Sequence, residues 1–189
     1  MKTSSARTHG QVSEHPRQAA ARSPLFVVVS RTFSGAMKHE IWEAPDHAAV
    51  LADANGQRLD TRFVMDANHF ATMTQATMRS TLEAVRETDP VRRNLPDREI
   101  VEQGTLYLVF IVNDTQAGTG HYETGAFEAR AGEYDAAVAR LKDSGIANPV
   151  VIPLMLAVDL MGHAYLIEDE KSEPHHRIDS QTVSHGLTH

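Results

Sequence analysis

The chain contains no cysteine among its 189 residues. This absence excludes disulfides, thiolate nucleophiles and the zinc sites that are built from cysteine ligands. No apolar stretch approaches the roughly 20 residues that a helix needs to cross a bilayer, and the amino-terminal stretch lacks the basic and then apolar order of a signal peptide. Our default expectation is therefore a cytoplasmic protein without membrane contact.

The familiar catalytic motifs are also missing. The sequence holds no G-x-x-x-x-G-K-[ST] phosphate loop, no H-E-x-x-H zinc helix, no G-x-S-x-G nucleophile elbow and no C-x-x-C. We therefore assign no catalytic residue, no cofactor and no metal, and we do not expect an enzyme of a common class.

Positive charge is scarce in the part of the chain that we expect to fold. Residues 25–171 hold 13 lysines and arginines against 22 aspartates and glutamates, whereas the amino-terminal segment is basic. An acidic domain disfavours direct binding to nucleic-acid phosphates, and helix 68–88 is a poor DNA-recognition helix because its only cations are Arg79 and Arg86. The charge instead indicates a protein partner with a basic surface.

The distribution of apolar residues predicts one domain with a polar tail at each end. Residues 1–23 and 172–189 show no apolar periodicity, so we expect them to be disordered. Residues 24–171 show the apolar content and patterning of a folded domain. We expect strands at 25–33, 37–43, 62–65, 105–113, 127–130, 150–158 and 163–168, and helices at 47–54, 68–88, 96–103 and 133–144.

Two of these expectations carry particular weight. The strand at 105–113 is the most apolar segment, and we expect both of its faces to be covered. The last two strands flank Asp159, Leu160, Met161 and Gly162, which we interpret as a four-residue hairpin loop.

A weak internal echo bears on the architecture. Segments S-G-A at 34–36, A-A-V at 48–50 and Gly56 resemble T-G-A at 124–126, A-A-V at 136–138 and Gly145. Two β-β-α-β halves would produce such an echo. We expect an α+β fold in which helices pack on one face of a mixed, mostly antiparallel sheet.

A few side chains could form a catalytic or metal-binding site. If the chain is extended at 121–123, His121 and Glu123 project from the same face, and His163 could supply a third group. This set defines an alternative function, a small metal-assisted hydrolase. A second gathering of imidazole and carboxylate groups surrounds Trp42 and consists of His39, Glu40, Glu43, Asp46 and His47; we interpret it as the charged surface of a hairpin.

The methionines are the last candidates. We interpret Met73, Met78, Met155 and Met161 as gap-fillers in the core, although a methionine-lined groove can also bind partners. The sequence as a whole favours a small, acidic, non-enzymatic accessory protein, either an inhibitor or an adaptor. Such proteins are frequent in bacterial mobile elements. The sequence leaves the oligomeric state open.

Overall fold

The computed structural model describes residues 23–112, 122–130, 133–146 and 148–172. Apart from Ser23 and Ser172, the two predicted tails lie outside the described residues. The described part forms an α+β domain, which confirms the predicted fold class. None of the helices in it is both long and apolar enough to cross a membrane.

The first half of the domain contains three strands and two long helices. Strands β1 (Leu25–Arg31), β2 (Met37–Glu43) and β3 (Asp60–Asp66) form an antiparallel sheet in the order β2-β1-β3. Helix α1 (His47–Gly56) lies between β2 and β3, and α2 (Ala67–Thr88) follows β3 directly.

Local sequence explains where these helices begin and end. The side chain of Asp46 accepts the backbone N–H of Ala49 at the start of α1. The Oδ1 atom of Asp66 accepts the N–H groups of Asn68 and His69 at the start of α2. Both are N-caps that satisfy otherwise unpaired donors. Helix α2 ends at Thr88, and the next residue, Asp89, is extended because it precedes a proline.

The second half repeats this order of elements after a short helix, α3 (Asp97–Glu102). Strands β4 (Leu106–Val112), β5 (Tyr122–Glu128) and β6 (Val150–Pro153) form a second antiparallel sheet in the order β5-β4-β6. Helix α4 (Tyr134–Asp143) lies between β5 and β6, and α5 (Leu154–Ser172) follows β6 directly. Each half is therefore a β-β-α-β-α unit, which contains the β-β-α-β order that the echo indicated and adds a helix at its end.

The correspondence between the halves extends to individual residues. The first residues of α1 and α4 (47 and 134) and of α2 and α5 (67 and 154) are each separated by 87 residues. The N–H of Ala44 donates to the carbonyl of Pro24 at 3.2 Å, and that of Ala129 donates to Thr105 at 2.9 Å, at the same place in each sheet. The residues of the echo are not all equivalent, because Gly35 lies in the β1–β2 turn whereas Gly125 lies inside β5.

The two halves share one hydrophobic core. Alternate residues of β1 and β4 face this core together with residues of α2, α3 and α5. Helix α2 packs on β5 of the second half, and α5 packs on β2 of the first half. The rings of Phe63 on β3 and Phe110 on β4 lie 5.0 Å apart, and the hydroxyl of Tyr122 donates to the carbonyl of Val64 at 2.7 Å. Neither half could bury its inner face alone.

Two details of the predicted architecture are wrong. The strands form two sheets instead of one, and helices cover more than one face. Helix α1 packs on the outer face of the first sheet, where Phe26, Val28 and Val50 share a second cluster. On the outer face of the second sheet, the ring of Tyr134 in α4 lies 5.1 Å from that of Tyr107. Among the described residues, no strand of one half pairs with a strand of the other half.

The predicted carboxy-terminal hairpin is also wrong. Residues 163–168 and the expected loop at 159–162 belong to α5, and only residues 150–153 of the preceding strand are extended. The buried residues Leu154, Ala157, Leu160 and Ala164 follow helical spacing. A short apolar run next to glycine fits a strand or a helix equally well, and contact with β4 and α2 selects the helix.

Candidate functional site

The structure describes two of the three residues of the alternative hydrolase site, Glu123 and His163. Glu123 is the exposed second residue of β5, opposite Ile111. His163 is exposed in the middle of α5, not at the end of a hairpin. His121 lies outside the described residues. Within the described ranges, no three histidine, aspartate or glutamate side chains are grouped so as to hold a metal ion.

The pleat of β2 divides the cluster around Trp42. His39 and Ile41 lie opposite Val29 and Val27 on the face of the common core, whereas Glu40 and Trp42 are on the face that α1 covers. Lys38 pairs with Glu40 at 2.7 Å on that same face. His39 and Glu40 therefore point to opposite sides of the sheet and do not form a shared site.

His39 is the perturbed member of this cluster. Burial lowers its pKa below the ordinary histidine value because the charged form loses solvation. Its Nε2 atom is buried and has no hydrogen-bond partner among the described residues. The corresponding strand β5 carries Thr124, whose hydroxyl bonds Thr77 of α2 at 2.7 Å. Burial thus favours the neutral form of His39 on the face of β2 that looks toward the common core.

A groove of about 990 Å³ lies between α2, α3 and α5. Its apolar lining consists of Met78, Leu82, Val101, Met155, Val158 and Met161. Three of the four methionines singled out in the sequence therefore line this groove, and Met73, Met78 and Met161 also pack against the core. Flexible, polarisable methionine side chains adapt to different binding partners, so this groove is the best candidate for a binding site.

The charged residues of the groove fall into two groups. Arg86 forms an ion pair with Asp97, and the Nε of Arg98 donates to Glu102 at 2.6 Å. Within each pair, the positive and the negative charge largely cancel. The remaining lining charges are Arg79, Glu83 and Asp159, which form no ion pair with the described residues. With respect to the described part of the chain, the groove therefore presents two carboxylates and one guanidinium that form no ion pair.

The apolar lining continues along the outer surface of α5. We call this surface the α5 outer face and define it by the exposed residues Met155, Asp159, Gly162, Tyr165 and Leu166. Met155, Tyr165 and Leu166 are 46%, 68% and 59% exposed. Helix α5 thus carries three large apolar side chains on its exposed side, beside the exposed polar residues Asp159, His163 and Asp169.

Helix α2 provides an internal comparison. At the corresponding positions, 87 residues earlier, it carries Asn68, Thr72, Gln75, Met78 and Arg79. Four of these five side chains are polar, so the same place in the fold does not itself require apolar residues. The α5 outer face was missed in the sequence because residues 163–168 were assigned to a strand; helical spacing of the apolar residues from 154 onward was the available signal.

Comparisons with protein-family models, with curated proteins and with solved structures give no match.

Proposed function

We propose that this protein is a cytoplasmic, non-enzymatic accessory protein that binds a partner protein with a basic surface. The observation that carries this proposal is the α5 outer face and its continuity with the methionine-lined groove. The proposal does not require catalytic residues. It requires an accessible apolar patch and a favourable electrostatic field.

The apolar part of the surface supplies the binding energy in this proposal. Met155 and Asp159 belong to both the groove and the α5 outer face, so the two surfaces adjoin, and we call their apolar residues together the apolar strip. Exposed apolar side chains that are clustered, instead of scattered, mark interaction sites. Burial of such side chains contributes about 25 cal/mol for each Å² of apolar surface removed from water.

The net negative charge of the domain attracts the basic partner in this proposal. Residues 25–171 carry nine more acids than bases, 22 against 13. Close to the strip, Glu83 and Asp159 are exposed and unpaired with the described residues. A field of this sign attracts a basic surface over distances up to the Debye length, about 8 Å at physiological salt. Complementary charge accelerates association and suppresses acidic competitors.

The role of such a protein is to occupy a basic groove of its partner as an inhibitor, or to connect that partner to another protein as an adaptor. We propose a bacterial mobile element as its setting. Both roles predict a stable complex with a defined partner and no turnover of a substrate.

Affinity purification from the native cell tests this function. The wild-type chain should capture a stoichiometric protein that is eluted as the salt concentration rises. Met155→Asp should capture less of it, because the variant places a charge in the apolar strip. Asn68→Asp is the matched control: it adds the same charge at the corresponding exposed position of α2, so it should capture as much as the wild type. Equal capture by all three chains would contradict the proposed surface.

The metal-assisted hydrolase is the alternative outcome. It predicts stoichiometric divalent metal in the purified protein and loss of that metal in His121→Ala and His163→Ala, since removal of a ligand weakens a metal site strongly. Such a result, without a salt-sensitive partner, would replace the binding function by the hydrolase.

A further inference from the structure

Methionine supplies the only sulfur in this chain, because cysteine is absent. A peroxide therefore finds thioethers, and no thiolates, as its sulfur targets. Six of the seven methionines lie in the described part of the chain. Met37 and Met155 are 45% and 46% exposed, Met65 is 2% exposed, and the other three are half-buried. Since oxidation follows access to the sulfur, Met37 and Met155 should react first.

The two exposed methionines differ in their surroundings. Met37 begins β2 and lies opposite Arg31, outside the lining of the groove. Met155 lies in the first turn of α5 and lines the groove together with Met78 and Met161. Among the described methionines, Met155 is thus the exposed one that belongs to the apolar strip.

We propose that Met155 is a reversible oxidation site that switches the apolar strip to a more polar surface. Hydrogen peroxide transfers one oxygen atom to the Met155 sulfur, so the thioether is oxidised to a sulfoxide and the peroxide is reduced to water. The side chain is exposed, so the new oxygen stays in contact with water and the domain remains folded. The regulatory meaning of this switch, control of partner binding, rests on the proposed function, whereas the oxidation itself does not.

Met78 and Met161 respond to oxidation in a different way. Both are half-buried and pack against the common core, besides lining the groove. A sulfoxide at either position places a polar oxygen where α2 and α5 pack together, and a polar group that is buried without a partner destabilises the fold. Oxidation at Met155 is therefore the fast step that the folded domain tolerates, and oxidation at the two deeper methionines is slower and costs stability.

Mild treatment of the full chain with hydrogen peroxide tests the site itself. Peptide mass spectrometry over time should show oxidation of Met37 and Met155 at similar rates, about tenfold or more faster than that of Met65. The two methionine sulfoxide reductases, one for each sulfoxide epimer, should reverse both reactions in the folded protein. Oxidation of Met155 as slow as that of Met65 would overturn the inference.

The neutral dye Nile red, which fluoresces in apolar surroundings, reports the polarity of the apolar strip. We expect the untreated wild type to bind the dye, and the oxidised protein to bind it more weakly by about threefold or more. Treatment with the reductases should restore binding. Met155→Leu should bind the dye equally before and after peroxide, because leucine has a similar volume and no sulfur. Met37→Leu is the matched control and should lose dye binding on oxidation as the wild type does.

Three results with the dye would overturn the switch: no binding to the untreated wild type, an equal loss on oxidation in Met155→Leu, or no loss in Met37→Leu. The captured partner separates the switch from the proposed function. A partner that binds the oxidised and the untreated wild type equally would reject the switch and retain the proposed function. Dye binding that responds as expected, in a chain that captures no partner, would support the oxidation site and reject the proposed function.

Discussion

Phe110→Ala tests the packing that joins the two halves. Phe110 is fully buried on β4, and its ring lies 5.0 Å from that of Phe63 on β3 and 5.3 Å from that of Phe70 on α2. The substitution removes a large side chain whose neighbours belong to both sheets and to α2. These neighbours cannot easily move in to fill the cavity that it leaves. The substitution should therefore cost about 3–5 kcal/mol of unfolding free energy. This is a large part of the ~5–15 kcal/mol by which domains are stable.

Urea denaturation measures this cost directly. The midpoint should fall while the slope of free energy against urea stays constant, since the surface exposed on unfolding is nearly unchanged. Phe33→Ala, at the fully exposed tip of the β1–β2 turn, is the control and should change stability by less than about 0.5 kcal/mol. Ile111→Ala should cost less than Phe110→Ala because Ile111 is only half-buried. A cost below about 1 kcal/mol for Phe110→Ala would refute a core shared by the two halves.

Three further predictions concern other contacts. Tyr122→Phe removes the hydroxyl that bonds Val64 across the halves, so calorimetry should show a loss of about 0.5–1.5 kcal/mol. Asp66→Ala removes the cap of α2 and should cost about 0.5–2 kcal/mol in the same assay; no loss would mean that water replaces the cap. Because burial lowers the pKa of His39, the unfolded chain gains a proton below about pH 6.5 that the folded chain resists. The free energy of unfolding should therefore decrease as the pH is lowered below about 6.5, and the decrease should be smaller in His39→Leu.

Much of the fold could be predicted from the sequence because local signals agree with tertiary contacts. The predicted helices at 47–54 and 68–88 match α1 and α2 closely, and the apolar run at 105–113 predicted β4. The two halves were indicated by the similar segments at 48–50 and 136–138, each of which is followed by a glycine. The division into two sheets could not be predicted, because strand pairing depends on contacts that are remote in sequence and leave no local pattern.

Helix α5 and the candidate site were harder to predict for the same reason. Gly162 suggested a turn, whereas in the structure it lies on the exposed side of a continuous helix. The methionines were recognised in the sequence, but their convergence requires α2, α3 and α5 to be packed together. The α5 outer face becomes visible only when α5 is compared with α2, since exposed apolar residues in a single sequence resemble core residues.

The central claim is that the α5 outer face binds a basic partner, and it is tested most directly by the kinetics of the captured complex. We expect the association rate constant of the wild type to fall steeply between low and physiological salt. Leu166→Asp should associate at least as fast, because it adds negative charge, and should dissociate at least tenfold faster, because an apolar contact worth about 1.4 kcal/mol or more is lost. An association rate that is independent of salt, or an unchanged dissociation rate in Leu166→Asp, would contradict the account.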